Sequence, residues 1–166
     1  MSIQDAVARA TAYLTEHPDE ARYRDSPAIA RITSGLSAWV TGPGNESVTT
    51  DMPAGIGGGA SAPSPGWLMR AATASCVASL IAIRAAAVGM TVGPIEVAVD
   101  SESDDRGILG LDQAIDAGAL SMRVVVSFGA TDAAQAGVRE LVDWAVRHCP
   151  VTDTIARAVP IEVEVR

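Results

Sequence analysis

Residues 64–89, which read SPGWLMRAATASCVASLIAIRAAAVG, decide the fold of this chain. Ser64 is a residue type that caps helix N-termini, and Pro65 suits the first helical position. Gly89 suits the left-handed conformation that often follows the last turn of a helix. The segment between them, Gly66–Val88, predicts one helix of 23 residues, about 35 Å long.

This predicted helix is apolar on every face, and its only charges are Arg70 and Arg84. A helix of this kind is surrounded by protein on nearly all sides, and a chain of 166 residues can barely wrap it unaided. We therefore expect a symmetric homodimer in which the helix packs against a second copy. The apolar positions that cover its faces are Trp67, Leu68, Ala71, Ala74, Val77, Leu80, Ile81 and Ile83.

The rest of the chain mixes short strands with two further helices, which predicts an α+β fold with largely antiparallel sheet. Ile3–Glu16 has helical spacing and Pro18 stops it, so residues 1–18 form an extra N-terminal helix. Ala54–Pro65 is rich in glycine, serine and proline and predicts a flexible connection or a lid. The other predicted elements are a β-hairpin over Ala28–Asp51, strands over Val92–Ser101, Leu120–Phe128 and Ile155–Arg166, and a helix capped by Thr131 or Asp132 that runs to Arg147.

Length and composition limit the function classes. A chain of 166 residues predicts one domain, residues 1–166. The 12 basic and 20 acidic residues give a formal net charge of −8, which disfavours nucleic acid and anionic membrane surfaces as partners. Every basic residue is arginine, so chemistry that needs a P-loop lysine, a Schiff-base lysine or a kinase-type lysine is excluded.

We expect a soluble, cytoplasmic protein. The segment Met1–Asp5 has no basic region, and no apolar run follows it, so no secretory signal is predicted. The longest uncharged apolar stretch, Ala71–Ile83, has 13 residues, whereas a membrane span needs roughly 20. In a reducing cytoplasm two cysteines do not form a permanent structural bridge, so they are buried thiols, metal ligands or a redox pair.

The candidate chemistry therefore rests on Cys76, in the middle of the long helix, and Cys149, at the end of a later one. A buried cysteine often behaves only as a small hydrophobe, but Cys149 lies between His148 and Pro150, in a context typical of exposed residues. Thiolate formation at Cys149 is disfavoured by the negative end of the helix dipole, so Cys76 is the better attacking thiol and Cys149 the better resolving thiol. His148 serves as a charge at the helix C-terminus or polarises Cys149.

A metal centre is not predicted. It would have to use Cys76, His148 and Cys149, and adjacent residues rarely ligate the same ion. A fourth ligand would also be needed. We expect no metal and no cofactor.

Three motifs together resemble the OsmC/Ohr family, the osmotically inducible and organic-hydroperoxide-resistance proteins. They are Pro63–Cys76, Asp104–Gly110 with its Asp-Arg-Gly turn, and His148–Thr154, and they follow one another in the family's order. The resemblance extends over residues 28–165 and leaves the first helix as an addition.

The resemblance implies an intertwined α+β homodimer with the two long helices buried against each other. It also implies a thiol peroxidase that reduces organic hydroperoxides or hydrogen peroxide in the oxidative stress response. In that mechanism Cys76 attacks the peroxide and becomes a sulfenic acid, and Cys149 captures it as a disulfide. A dithiol reductant, whose identity the sequence does not give, then restores both thiols.

The chain departs from the family at two positions. Family peroxidases have an acidic residue ten positions before the first cysteine, where this chain has Gly66. They also have an activating arginine on an early strand, near the place where this chain has Leu36. Arg31 and Arg106 are the candidates to stabilise the thiolate instead.

Three functions therefore stay open. The first is the peroxidase described above. The second is a dimeric module that has lost fast catalysis and binds a small hydrophobic ligand, which Gly66 and Leu36 favour because they make the pocket neutral and wider. The third is a redox sensor or disulfide carrier without peroxidase turnover.

Overall fold

The computed structural model describes residues 1–129 and 134–165, and it is mixed helix and sheet with antiparallel strands. The chain divides into two compact units. Residues 10–69 form one, and residues 1–9 together with 70–166 form the other.

The first helix, α1, covers Ile3–Glu16, the range that the sequence predicts. Ser2 and Asp5 cap it reciprocally, because each backbone N–H donates to the side-chain oxygen of the other. Pro18 follows and cannot continue the helix. None of the α1 side chains is buried.

The predicted hairpin is confirmed and has a third strand. Strands β1 (Ile29–Ser34), β2 (Ser37–Thr41) and β3 (Ser47–Thr50) form an antiparallel sheet in sequence order. Gly35, with φ at +58°, makes the tight turn between the first two strands.

The glycine-rich segment after β3 is organised around one carboxylate. Asp51 is 3% exposed and accepts hydrogen bonds from the backbone N–H groups of Met52, Gly59 and Ser61 and from the Ser61 hydroxyl. The bonds from Ser61 are the main cause of the lowered pKa of Asp51. A Cβ at Gly58 would lie 1.8 Å from the Met52 carbonyl oxygen, so glycine is required there. Instead of an unstructured connection, the structure shows a loop closed around Asp51.

The long helix, α2, covers Pro65–Ala87, one residue earlier than predicted at each end. The Ser64 hydroxyl caps it by accepting the backbone N–H of Trp67 at 3.2 Å. Beyond its last turn, Gly89 adopts φ of +71°, as the sequence predicts. The side chains that are buried within one chain form a single stripe at intervals of four: Thr73, Val77, Ile81 and Ala85.

The remaining elements cover that stripe. Strands β4 (Ile95–Glu102) and β5 (Ser121–Phe128) form an antiparallel pair, and every second side chain of each faces the core. A single helical turn, α3 (Asp105–Ile108), lies between them in sequence. Helix α4 (Gln135–His148) and helix α5 (Pro150–Ala156) follow. The core contains residues of α2 and α4, together with apolar side chains of both strands and of α5.

Helix α2 is long and apolar enough to cross a membrane by length and composition alone. Its stripe forms the core with Leu141 and Ala145 of α4. This contact identifies α2 as a core helix rather than a membrane span.

The described residues near the C-terminal end form a helix and no strand. The predicted strand Ile155–Arg166 is wrong for the described residues: α5 ends at Ala156, and residues 158–165 form no regular secondary structure. The apolar side chains Ile161, Val163 and Val165 are at least 80% exposed, because alternation forms a strand only where a partner strand is available to pair with it. The predicted caps of α4, Thr131 and Asp132, lie outside the described residues.

Candidate active site: a pair of cysteine thiols

The two cysteines come from separate parts of the chain. Cys76 lies in the middle of α2, and Cys149 is the single residue between α4 and α5. Pro150 cannot donate the hydrogen bond that would continue α4, but its fixed φ suits the first position of a new helix. Cys149 is therefore held in an extended conformation, φ −74° and ψ 119°, at the junction of the two helices.

Cys149 is completely buried, with 0% exposure. The sequence-based expectation of an exposed context is wrong here, because α5 begins immediately after Cys149 and encloses it. Its neighbours in the core cluster include Val77 and Ile81 of α2. Cys76 packs against the same cluster but stays partly exposed.

The two thiols lie close enough for each to shift the pKa of the other, and the start of α5 contributes to both shifts. The backbone N–H of Val151 lowers the pKa of both thiols, and the backbone N–H and hydroxyl of Thr152 lower the pKa of Cys149. The Thr152 hydroxyl itself donates to the carbonyl oxygens of Val146 and Cys149.

These contacts separate the pKa values of the two thiols. Burial tends to raise the pKa of Cys149, but hydrogen bonds from Cys76, Thr152 and Val151 outweigh it and hold that pKa below its ordinary value. Burial and the bond to Cys149 raise the pKa of Cys76. The position of Cys149 at the end of α4 predicts the opposite order of the two pKa values. The structure shows that it is also the N-cap of α5.

The predicted arginines have other contacts in the structure. Arg106 forms an ion pair with Asp104, with its Nη2 2.5 Å from the carboxylate, and hydrogen bonds from Arg106 lower the pKa of Asp104 to about 2. Arg31 lies on β1 opposite Trp39, and its side chain is exposed. Burial is the largest cause that shifts the pKa of the two thiols, followed by the thiols' effect on each other and by Val151 and Thr152; no arginine is among the causes.

His148 does not polarise the neighbouring cysteine through a hydrogen bond in this structure. Its Nδ1 lies 2.8 Å from the Trp144 carbonyl oxygen, and its ring stacks on the Trp144 indole at 4.1 Å between centroids. The Arg84 guanidinium lies 4.9 Å from the centroid of the Trp144 ring system.

The two positions at which this chain departs from the family, Leu36 and Gly66, both lie in exposed turns. Leu36 lies in the turn between β1 and β2, and Gly66 in the first turn of α2; each is exposed. Among the described residues, no group of three or more His, Cys, Asp or Glu side chains is arranged to hold a metal ion.

Sequence reasoning missed Val151 and Thr152, the two residues after Pro150 that lower the pKa of the thiols. The signal was present, because a proline directly after a helix end is the favoured first residue of another helix. With Cys149 as N-cap, the second and third helical positions fall on Val151 and Thr152.

Comparison with known proteins gives a family and a fold. A family model described as OsmC-like protein matches residues 57–164. No curated protein matches the chain.

Solved structures with the same fold come from several bacteria. An OsmC-like protein from Mycoplasma pneumoniae is 15% identical, with a TM-score of 0.66 over 83% of this chain and 90% of that one. An organic hydroperoxide resistance protein from Elizabethkingia anophelis is 14% identical, with a TM-score of 0.66 over 83% and 91%. The organic hydroperoxide resistance protein OhrB of Bacillus subtilis is 20% identical, with a TM-score of 0.53 over 86% and 98%. At these identities the likeness shows the fold alone.

Proposed function

Because this chain belongs to the OsmC-like protein family, we propose that it is a cysteine-based thiol peroxidase for organic hydroperoxides or hydrogen peroxide, acting in the oxidative stress response. The observation that carries the proposal is that the fold packs Cys76 against the core cluster that contains Cys149, close enough for each thiol to shift the pKa of the other. These residues lie 73 positions apart in the sequence (149 − 76). Structural neighbours named organic hydroperoxide resistance proteins support the substrate class.

The first step takes place at Cys76, because this thiol is partly exposed whereas Cys149 is completely buried. The Cys76 sulfur attacks one peroxide oxygen and the O–O bond breaks. The departing alkoxide takes up the thiol proton and leaves as an alcohol, or as water when the substrate is hydrogen peroxide. Cys76 is oxidised to a sulfenic acid.

The second step joins the two sulfurs. Cys149 attacks the sulfenic sulfur of Cys76, the S–O bond breaks, and hydroxide leaves and takes up a proton to become water. A lowered pKa suits Cys149 to this step, because the thiolate is the nucleophilic form. A dithiol reductant of unknown identity then reduces the Cys76–Cys149 disulfide by thiol–disulfide exchange.

We propose that the active form is a cytoplasmic homodimer in which the whole chain, residues 1–166, serves as one OsmC-like domain. One stripe of α2 is buried within the chain, while Trp67 and Val88 at its two ends are each 49% exposed. A second copy would cover such surface. Arg31 and Arg106 remain the candidate thiolate-stabilising residues, and Arg106 would have to leave Asp104 to act on Cys76.

A second candidate function is supported by the neutral surroundings of the thiols. Burial and the neighbouring Cys149 raise the pKa of Cys76, and no arginine is among the causes that shift the pKa of either thiol; such surroundings do not create a fast-reacting thiolate at Cys76. The alternative is therefore a non-catalytic dimeric module that binds a small hydrophobic ligand, or a redox sensor.

Stopped-flow oxidation of the reduced protein tests the proposal. Cumene hydroperoxide and hydrogen peroxide are mixed with wild type, Cys76→Ser and Cys149→Ser, and tryptophan fluorescence is recorded. We expect rapid oxidation of wild type, none in Cys76→Ser, and a sulfenic acid that can be trapped in Cys149→Ser. A rate no higher than that of a free thiol would reject the peroxidase in favour of the second candidate.

A further inference from the structure

The two helices that meet at Cys149 close it off from solvent. The residue is 0% exposed and belongs to the core cluster. Helix α5 is fixed to the end of α4 by the Thr152 hydroxyl, which donates to the carbonyl oxygens of Val146 and Cys149. The backbone N–H of Asp153 also donates to the Cys149 carbonyl, at 2.9 Å. A molecule from solution therefore reaches this sulfur only when α5 moves away from α4.

Cys76 differs from Cys149 in its access to solvent. It packs against the same cluster but stays partly exposed. Ala72 and Ser79, one helical turn before and one turn after it on the same side of α2, are exposed and have short side chains. In the proposed function a hydroperoxide has to reach Cys76, and the opening that admits the peroxide also admits a thiol.

This difference in access decides how the disulfide can be reduced. In thiol–disulfide exchange an incoming thiolate bonds to one of the two sulfurs, and the other sulfur leaves. The attacked sulfur has to be reached from the side opposite to the one that leaves. At Cys149 the protein core closes every direction of approach, because that residue is completely buried.

We propose that the dithiol reductant attacks the sulfur of Cys76 and that Cys149 is the leaving group, so that the mixed-disulfide intermediate forms at Cys76. The inference deepens the proposed function and rests on its Cys76–Cys149 disulfide. Both molecules that enter the cycle from solution then react at the same sulfur, and Cys149 reacts only with Cys76.

The exchange takes place in two balanced steps. One thiolate of the reductant bonds to the Cys76 sulfur, the bond between Cys76 and Cys149 breaks, and Cys149 leaves with the bonding electrons as a thiolate. The second thiolate of the reductant then attacks the reductant's own sulfur in the mixed disulfide and releases Cys76. The reductant is oxidised to a disulfide, and its two thiol protons pass to the two cysteines.

The order of the two pKa values supports this direction of attack. Burial raises the pKa of Cys149, but its neighbours hold it below its ordinary value. The thiol with the lower pKa leaves faster from a disulfide.

The first test compares the two thiols in variants that keep only one cysteine. Reduced Cys149→Ser and Cys76→Ser are mixed with the aromatic disulfide dithiobis(nitrobenzoic acid), and the released thiolate is followed by absorbance. We expect Cys149 to react at least roughly 100-fold more slowly than Cys76, because it reacts only when α5 opens. In denaturing urea the two rates should become similar. Similar rates in the folded proteins would overturn the proposal.

The second test locates the mixed disulfide itself. Wild type is oxidised with diamide, which forms the disulfide without a peroxide, and is then mixed with glutathione, quenched with acid at successive times and digested for mass spectrometry. Glutathione should be attached to the Cys76 peptide, with Cys149 as a free thiol. Glutathione attached to Cys149, with Cys76 free, would overturn the proposal.

A matched pair of variants tests whether α5 is the barrier. In the Cys76→Ser background, Thr152→Val removes the hydrogen bonds that tie α5 to α4 and should speed the reaction of Cys149 roughly twofold to tenfold. Thr154→Val is the control, because Thr154 lies on the same helix and is exposed; it should leave the rate unchanged. Equal rates in the two variants would overturn the assignment of α5 as the barrier.

Two further controls keep the outcomes distinct. Circular dichroism establishes that each variant is folded, and Cys76→Ala replaces Cys76→Ser if the serine variant is not. Failure of a hydroperoxide to oxidise wild type would reject the proposed peroxidase, whereas the readouts with dithiobis(nitrobenzoic acid) and with diamide and glutathione need no peroxide.

Discussion

The proximity of the two thiols predicts that Cys149 restrains the reactivity of Cys76, because Cys149 raises the pKa of Cys76. Two of the causes that raise the pKa of Cys76, the bond to Cys149 and the charge on its sulfur, come from that one neighbour. Cys149→Ala removes both and leaves the Val151 N–H, which lowers the pKa of Cys76. The pKa of Cys76 should therefore fall when Cys149 is removed.

The size of the effect follows from the bond that is lost. A hydrogen bond to a charged group contributes about 1.5–3 kcal/mol, and one pKa unit corresponds to about 1.4 kcal/mol. Because Cys76 is partly exposed, we expect the lower end of that range, a fall of about one unit. At neutral pH this gives a roughly tenfold larger thiolate fraction.

The assay is the rate of alkylation of Cys76 by iodoacetamide as a function of pH, with the modified peptide identified by mass spectrometry. The midpoint of the rate profile should lie about one unit lower in Cys149→Ala than in wild type. Cys149→Ser is the matched control, because serine keeps a hydrogen-bond acceptor at this position but carries no charge. Its midpoint should lie between those of wild type and Cys149→Ala. A midpoint that stays the same or rises in Cys149→Ala would refute the conclusion that Cys149 raises the pKa of Cys76.

Three further predictions concern the fold that holds the pair. Ile81→Ala empties a completely buried position in the core and should cost about 2–5 kcal/mol in urea unfolding; a loss below about 1 kcal/mol would show that the position is not in the core. Asp104→Asn removes the ion pair with Arg106. The pKa of Asp104 is lowered to about 2, so its contribution to stability is present above its unfolded pKa and is lost as the pH falls through its folded pKa. The difference in melting temperature between Asp104→Asn and wild type should therefore shrink between about pH 4 and pH 2. A difference that stays constant over this range would contradict the pairing. Asp51→Asn weakens the acceptor that gathers four donors of the loop, and limited proteolysis should cut residues 52–61 sooner than in wild type; unchanged cleavage would show that the carboxylate does not hold the loop.

Much of the architecture could be predicted because the helix boundaries are encoded locally. Ser64 and Gly89 mark the ends of α2 to within one or two residues, since a hydroxyl cap and a left-handed glycine act on their own turns. Alternation likewise predicts β4 and β5. The same alternation failed at Ile161–Val165, because a strand depends on a partner that the local sequence does not specify.

The candidate site was predictable in its residues but not in its electrostatics. Cys76 and Cys149 could be chosen from composition and from the family resemblance. Their pKa values depend on burial and on Val151 and Thr152, which lie beside Cys149 because Pro150 begins a second helix. The helix dipole of α4 alone therefore predicts that Cys76, and not Cys149, is the thiol with the lower pKa.

The central claim, that Cys76 and Cys149 form a redox pair, is tested most directly by mass spectrometry of the reduced protein after one equivalent of cumene hydroperoxide. The account predicts that each chain loses two hydrogen atoms and that digestion yields one cross-linked species joining the Cys76 and Cys149 peptides, absent from Cys76→Ser. Oxygen atoms accumulating on Cys76 without a cross-link, or both thiols remaining reduced, would contradict it.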